Sequence, residues 1–214
     1  DGKEDDVFAL IGPKRYDIPW KTLENKGFIA EALCTEYRVS LPPDEEVQYA
    51  LASKRQRFRI ASENSLKIDI ARELIANHPD DSIMIIGQYI SQLETMAAAL
   101  DAPLITGKTR HSDREKLYED FKKGTCRVLV VSKVANFALD LPDANVMIQI
   151  SGTFGSRQEE AQRLGRILRP KEKLSRFYTL VSKGTDEQEF ALNRQLFLVE
   201  QGYKYEIRYF DPGR

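Results

Sequence analysis

From residue 83 onward, short apolar runs alternate with stretches whose apolar positions recur every three or four residues. IMIIG (83–87), PLIT (103–106), RVLVVS (127–132), NVMIQI (145–150) and FYTLVS (177–182) are apolar on consecutive positions, as strands covered on both faces are. Helical periodicity marks the stretches near 89–100, 112–124, 156–168 and 186–201. The alternation predicts an α/β fold, a mostly parallel sheet with helices on both faces, whose ligand edge is the carboxyl end of its strands.

The first 80 residues are less regular. They predict a turn and helix about IPWKTLENKG (18–27), a strand CTEYRVSL (34–41) ended by Pro42 and Pro43, and two helices, the first beginning near Asp44. KRQRFR (54–59) sets four cations within six residues, which reads either as a solvated helix face or as a grip on phosphate. There is no internal repeat and no low-complexity segment.

Charge adds a constraint. Lys plus Arg total 32 against 33 Asp plus Glu over 214 residues, so any nucleic-acid site must be a local patch. Cys34 and Cys126 stand far apart, without zinc or CxxC spacing, and read as reduced buried thiols. No run approaches the roughly 18 apolar residues of a membrane span, and DGKEDD is acidic where a signal peptide would be basic. The expectation is a soluble cytosolic protein and, since it starts without Met in mid-pattern, a piece of a longer one.

LITGKT (104–109) ends like a phosphate loop. Such a loop is G-x-x-x-x-G-K-[ST], and its first glycine position is held here by Ala102, while Pro103 removes an N–H donor. The following helix waits for Ser112 or Asp113. No carboxylate pair ends a buried strand to hold Mg²⁺, because Asp44-Glu45 follows two prolines and Asp186-Glu187 opens a helix. By itself the chain is expected neither to bind Mg-ATP tightly nor to hydrolyse it.

SRQEEAQRLGRILR (156–169) opens with Ser156 and Glu159 at capping-box spacing. Ala161, Leu164, Ile167 and Leu168 form an apolar stripe, and Gln162, Arg166 and Arg169 fall within about 60° of one another on the opposite face. Gly165 beside them costs the helix about 1 kcal/mol relative to alanine, as if something approaches closely. Two arginines one turn apart suit a triphosphate, although an ordinary basic face with a Glu159–Arg163 pair fits the same spacing.

QRLGRILR (162–169) resembles motif VI of superfamily 2 helicases. SKVANFALDLPDANVMIQIS (132–151), GSRQEEAQRLGRILRPK (155–171), LVEQGYKYEI (198–207) and IGPKRYDIPWKTLENKGFIA (11–30) narrow the match, and nearly the whole chain resembles the XPB (xeroderma pigmentosum group B) family of DNA helicases. The resemblance implies the C-terminal RecA-like half of such an enzyme: a lead-in over 1–32 and the RecA-like domain over 33–214. ATP and Mg²⁺ would be held mainly by an N-terminal half lying in cis and carrying the phosphate loop and DExH box, with no metal bound by this half.

By the same resemblance Arg166 and Arg169 are fingers on the γ-phosphate, Gln162 and Arg163 order the cleft, and Asp140 in ALDLP approaches the ribose and couples ATP to DNA. Ser132 and Lys133, placed by the pattern at a strand's carboxyl end, would track the DNA backbone with Gln88 of motif IV and with Gly107, Lys108, Thr109 and Arg110. Backbone contacts carry no base information, so binding would be sequence-independent. The implied function is ATP-dependent DNA opening in nucleotide excision repair and, in some organisms, transcription initiation, with a repair nuclease or a transcription/repair complex as partner. Its location would be the cytoplasm and nucleoid of a prokaryote or a eukaryotic nucleus. The alternatives are a non-enzymatic interaction module derived from a helicase half, and a double-strand translocase that does not separate strands.

Overall fold

The computed structural model describes Thr22 and residues 32–132, 144–152, 174–201 and 203–210. In chain order these form β1 (Ala32–Val39), α1 (Pro43–Leu51), α2 (Lys54–Ser62), α3 (Lys67–Ala76), β2 (Ile83–Gly87), α4 (Ile90–Leu100), β3 (Leu104–Ile105), α5 (His111–Lys123), β4 (Val128–Ser132), β5 (Val146–Gln149), β6 (Ser175–Ser182), α6 (Glu187–Glu200) and β7 (Tyr205–Phe210). The seven strands make one sheet in the order β3-β4-β2-β5-β6-β1-β7, parallel throughout. The helices predicted over 18–27 and 156–168 fall, but for Thr22, outside the described residues.

Periodicity explains the layers. In β2, Met84 and Ile86 point into one core and Ile83 and Ile85 into the other, all at most 2% exposed. The first core is closed by Tyr118 and Phe121 of α5 and by Phe197 and Leu198 of α6. The second is closed by Ile70, Ala71 and Leu74 of α3 and by Leu93 and Met96 of α4. A strand apolar on both faces needs a helix on each, and a parallel sheet supplies them through its crossovers. Gly87 ends β2 where α4 and β5 close in: a Cβ there would stand 2.9 Å from Ile150 Cγ1 and 3.0 Å from Leu93 Cδ2. Gly87→Ala is therefore expected to lower unfolding stability by about 1–3 kcal/mol through overpacking, read as a lower urea midpoint.

Three features differ from the sequence expectation. Three helices, not two, follow β1, because the chain turns extended at Ala52 (ψ 153°) and restarts at Ser53, whose side chain and that of Gln56 form a capping box. β6 begins two residues before the predicted 177. A seventh strand, β7, pairs with β1 at the sheet edge, Cys34 lying level with both Phe177 and Tyr205. YEIRYF has only exposed and half-buried positions and no continuous apolar run to announce it. Its anchor is polar: Tyr205 donates to the fully buried Glu36 carboxylate at 2.6 Å, which also accepts from Arg38 Nε at 2.7 Å. Burial, with that carboxylate behind it, pushes the Tyr205 phenol far above its usual range, so it stays a donor.

Cys34 is buried and Cys126 only half-buried. No helix among the described residues is long and apolar enough to cross a membrane. Half of the KRQRFR cluster is engaged within the fold: Arg57 donates to the carbonyls of Tyr49 (3.1 Å) and Ala50 (3.0 Å) at the end of α1, and Arg59 pairs with Glu63 at 3.0 Å.

Candidate nucleic-acid interface at the carboxyl edge

Because every strand runs the same way, all carboxyl ends lie along one edge. β3, β4, β2 and β5 are successive neighbours, with Ile105 level with Val131, Gly87 with Ser132, and Ile86 with Gln149. Three inter-strand spacings of ~4.8 Å put the β3 and β5 ends roughly 14 Å apart. The structure thereby gathers Gln88, Ser132 and the loop Gly107–Arg110, residues 19 to 44 apart in sequence, onto one line. Lys133, Asp140, Gln162, Arg163, Arg166 and Arg169 lie outside the described residues.

The 106–109 loop is a self-closed turn. The Thr106 N–H donates to Thr109 Oγ1 at 2.9 Å, the Lys108 N–H to Thr106 Oγ1 at 3.2 Å, and the Thr109 N–H to the Thr106 carbonyl at 3.1 Å. Amides that would cradle phosphate in a nucleotide loop are turned onto the loop's own threonines, so the segment does not fit a triphosphate. α5 starts at His111 rather than at Ser112 or Asp113, with Arg110 at its N-cap. Gly107, Lys108 and Arg110 are exposed and Thr109 half-buried. The turn thus presents two cations to solvent beside the β4 end, a geometry suited to a backbone phosphate.

Gln88 and Ser132 differ in exposure. The Gln88 N–H donates to Ser151 Oγ at 2.8 Å, and its side-chain Oε1 is buried without a partner. Ser132 is only 1% exposed, and its hydroxyl too is buried without a partner. Native structures leave few such groups. Both stand at strand ends, where a sheet's ligands approach, but Ser132 lies below the surface and cannot itself touch a phosphate in this arrangement. Among the described residues no group of three or more His, Cys, Asp or Glu is placed to hold a metal ion.

A polar network deeper in the same edge was not foreseen. Lys67, at the first position of α3, is fully buried. Its Nζ donates to Glu187 Oε2 at 2.8 Å and to the carbonyls of Ile150 at 2.9 Å and Ser62 at 3.1 Å. Burial draws the ammonium below the usual lysine range, while the Glu187 carboxylate pulls the other way. A signal was available in the sequence: the buried stripe of α3 is Lys67, Ile70, Ala71, Leu74, and that of α6 includes Glu187, Ala191, Arg194 and Leu198. Charged residues at i and i+7 of apolar stripes require buried partners.

With this geometry in view, comparison with known proteins narrows the field. Residues 23–209 match the family model described as ERCC3/RAD25/XPB C-terminal helicase. A Kineococcus radiotolerans protein named DNA 3'-5' helicase XPB is 54% identical over 97% of this chain and 38% of its own length. A Danio rerio protein named general transcription and DNA repair factor IIH helicase/translocase subunit XPB is 36% identical over 97% of this chain and 28% of its own. The chain therefore spans well under half the length of these relatives. Among solved structures, the C-terminal domain of the DEAD-box protein Dbp5 superposes with a TM-score of 0.64 at 13% identity, covering 84% of this chain and 91% of that one, a likeness of fold.

Proposed function

The chain belongs to the ERCC3/RAD25/XPB C-terminal helicase family, and from that premise we propose that it is the C-terminal RecA-like half of an ATP-driven DNA helicase or translocase acting in DNA repair and transcription initiation. The match over residues 23–209 carries this reading. The exposed Lys108 and Arg110, one strand away from the Ser132 end and two from Gln88, support it.

In this reading residues 33–214 form the domain and 1–32 lead into it. ATP sits between this half and the half that supplies the phosphate loop and the Mg²⁺ site. Arg166 and Arg169 reach the γ-phosphate, where an arginine neutralises charge developing in the transition state. Gln162 and Arg163 order that cleft, and Asp140 couples it to DNA. Gly107, Lys108, Thr109, Arg110 and Lys133 follow the DNA backbone. Gln88 follows the backbone with them, and Ser132, being buried, supports that edge from beneath. Each closing and opening of the cleft moves the pair of halves along the duplex, and the partners are DNA and a transcription/repair complex. The place of action follows the DNA, the nucleoid of a prokaryote or the nucleus of a eukaryote.

The test is duplex-stimulated ATP hydrolysis by the full-length protein, titrated with DNA over a range of salt. Stimulation independent of base sequence is expected. Lys108→Ala combined with Arg110→Ala should raise the DNA concentration needed for half-stimulation and flatten the log–log salt slope by roughly 1.8, about 0.9 for each lost phosphate contact. Absence of any DNA-stimulated turnover would favour the interaction module, and an unchanged slope would remove the loop from the DNA path.

A further inference from the structure

Tyr209, 65% accessible near the carboxyl end of β7, is the one exposed aromatic side chain among the described residues. It is set among cations. The exposed Lys183 directly follows β6 and stands with its Nζ 5.6 Å from the Tyr209 ring centroid. Arg38 of β1 lies level with Tyr209 in the strand pairing, and its guanidinium interacts with the Tyr209 side chain.

The sheet fixes this group. The Lys183 N–H donates to the Val39 carbonyl at 2.8 Å, which ties the lysine's backbone to the end of β1. Arg38 Nε donates to the fully buried Glu36 carboxylate at 2.7 Å, and Tyr205 donates to the same carboxylate. Alternate residues of paired strands share a face, so Glu36 and Arg38 of β1 stand beside Tyr205 and Tyr209 of β7 on one side of the sheet. The exposed ring is thus backed by a polar ladder anchored in the core. The ladder also decides which cation is open: Arg38 is neutralised by Glu36, whereas Lys183 takes no carboxylate partner among the described residues.

An edge strand needs charge to keep other strands off, and Glu206 and Arg208, exposed on β7 and paired at 3.0 Å, supply it. Edge protection gives no reason for an exposed ring. Base recognition does, because every nucleobase has a π-face that stacks on an aromatic and comes attached to phosphate that a cation attracts. The group also stands where ligands of a parallel sheet approach. Tyr209 lies on the same carboxyl edge as Gln88, Ser132 and the 107–110 turn, three strand spacings or roughly 14 Å from the end of β5.

We propose that Tyr209, Lys183 and Arg38 form a stacking platform for a nucleobase carrying phosphate: Tyr209 meets the base, Lys183 meets the phosphate, and Arg38 positions the ring. The base is that of the bound ATP or an unpaired base of the nucleic acid. These two sources rest on the reading of the chain as half of a DNA-dependent ATPase, whereas the platform rests on β1, β6 and β7.

The experiment measures, on the full-length protein, dissociation constants for ATP and for a single-stranded oligonucleotide. Each is set beside a counterpart without bases, inorganic tripolyphosphate and an abasic oligonucleotide of equal length. Tyr209→Ala is expected to weaken a base-bearing ligand by about fivefold or more, the low end for one lost stack. The base-free counterparts should bind as they do to the wild type, and Tyr209→Phe should keep wild-type binding throughout. Loss for either base-bearing ligand supports the proposal: for ATP it assigns the platform to the bound nucleotide, and for the oligonucleotide to an unpaired strand. In the second case Lys183→Ala should also weaken the abasic oligonucleotide and lower the log–log salt slope by about 0.7. Unchanged constants for both ATP and oligonucleotide in Tyr209→Ala, or an equal loss with and without bases, would overturn the platform. Absence of DNA-stimulated turnover in the wild type would instead overturn the reading of the chain, and the ATP constants would still decide the platform. If Tyr209→Ala does not fold, Tyr209→Leu decides: it keeps apolar bulk without a π-face, so the same loss supports the proposal and wild-type binding overturns it.

Discussion

Arg166→Ala in the full-length protein is expected to abolish ATP turnover while sparing ATP binding. Arg166 lies four residues beyond Gln162 and three before Arg169, a spacing that predicts one face of a helix opposite the apolar stripe of 156–169. Such a fork carries charge at every accessible pH and meets phosphate oxygens in a planar geometry. An arginine delivered to a γ-phosphate from the far side of a cleft is worth roughly 10³- to 10⁵-fold in rate, because it counters charge that grows only as the transition state forms. It adds little to ground-state affinity when the phosphate loop and Mg²⁺ lie on the other half. Steady-state hydrolysis and equilibrium nucleotide binding together check this: turnover should vanish with the dissociation constant near that of the wild type, and an unchanged rate would refute the finger assignment. The same assay on this chain alone should be silent, because the amides of the 106–109 turn are occupied by Thr106 and Thr109.

Lys67→Met by itself is expected to cost about 3–5 kcal/mol, the usual result of removing one partner of a buried ion pair. Glu187, 4% exposed, would keep the Ser182 N–H but lose its cation, and the Ile150 and Ser62 carbonyls would lose a donor. For a domain of this size each kcal/mol moves the melting temperature by roughly 2–4 °C, so a fall of about 6–20 °C is predicted. Adding Glu187→Met should return the melting temperature to the wild-type value or above it, since no uncompensated charge is then left in the core. Thermal unfolding of the three proteins checks this, and a single variant as stable as the wild type would show that the pair is not sealed from water.

The two predictions draw on different sources. The arginine prediction rests on sequence alone: a helix writes its faces at a fixed period, QRLGRILR carries the spacing of one such face, and those residues lie outside the described ones. Most strands were legible because a segment covered on both sides must be apolar on consecutive positions, as Ile83 to Ile86 and Val128 to Val131 are. β7 was not, since an edge strand buries too little for a continuous run, and Glu36 and Tyr205 meet across 169 positions of sequence. Lys67 and Glu187 announced only that something was needed, by sitting on apolar stripes.

By itself, then, the sequence determined the α/β alternation and the failure of LITGKT as a phosphate loop, both properties of neighbours within one or two turns of chain. Only the tertiary structure decided that β1 lies between β6 and β7, that Gln88, Ser132 and the 107–110 turn share an edge, that Ser132 is buried there, and that Lys67 answers Glu187 across 120 residues. Local periodicity follows from backbone geometry and needs only nearby residues. Strand order and buried charge pairing follow from which surfaces exclude water together, and that is set by the packed whole.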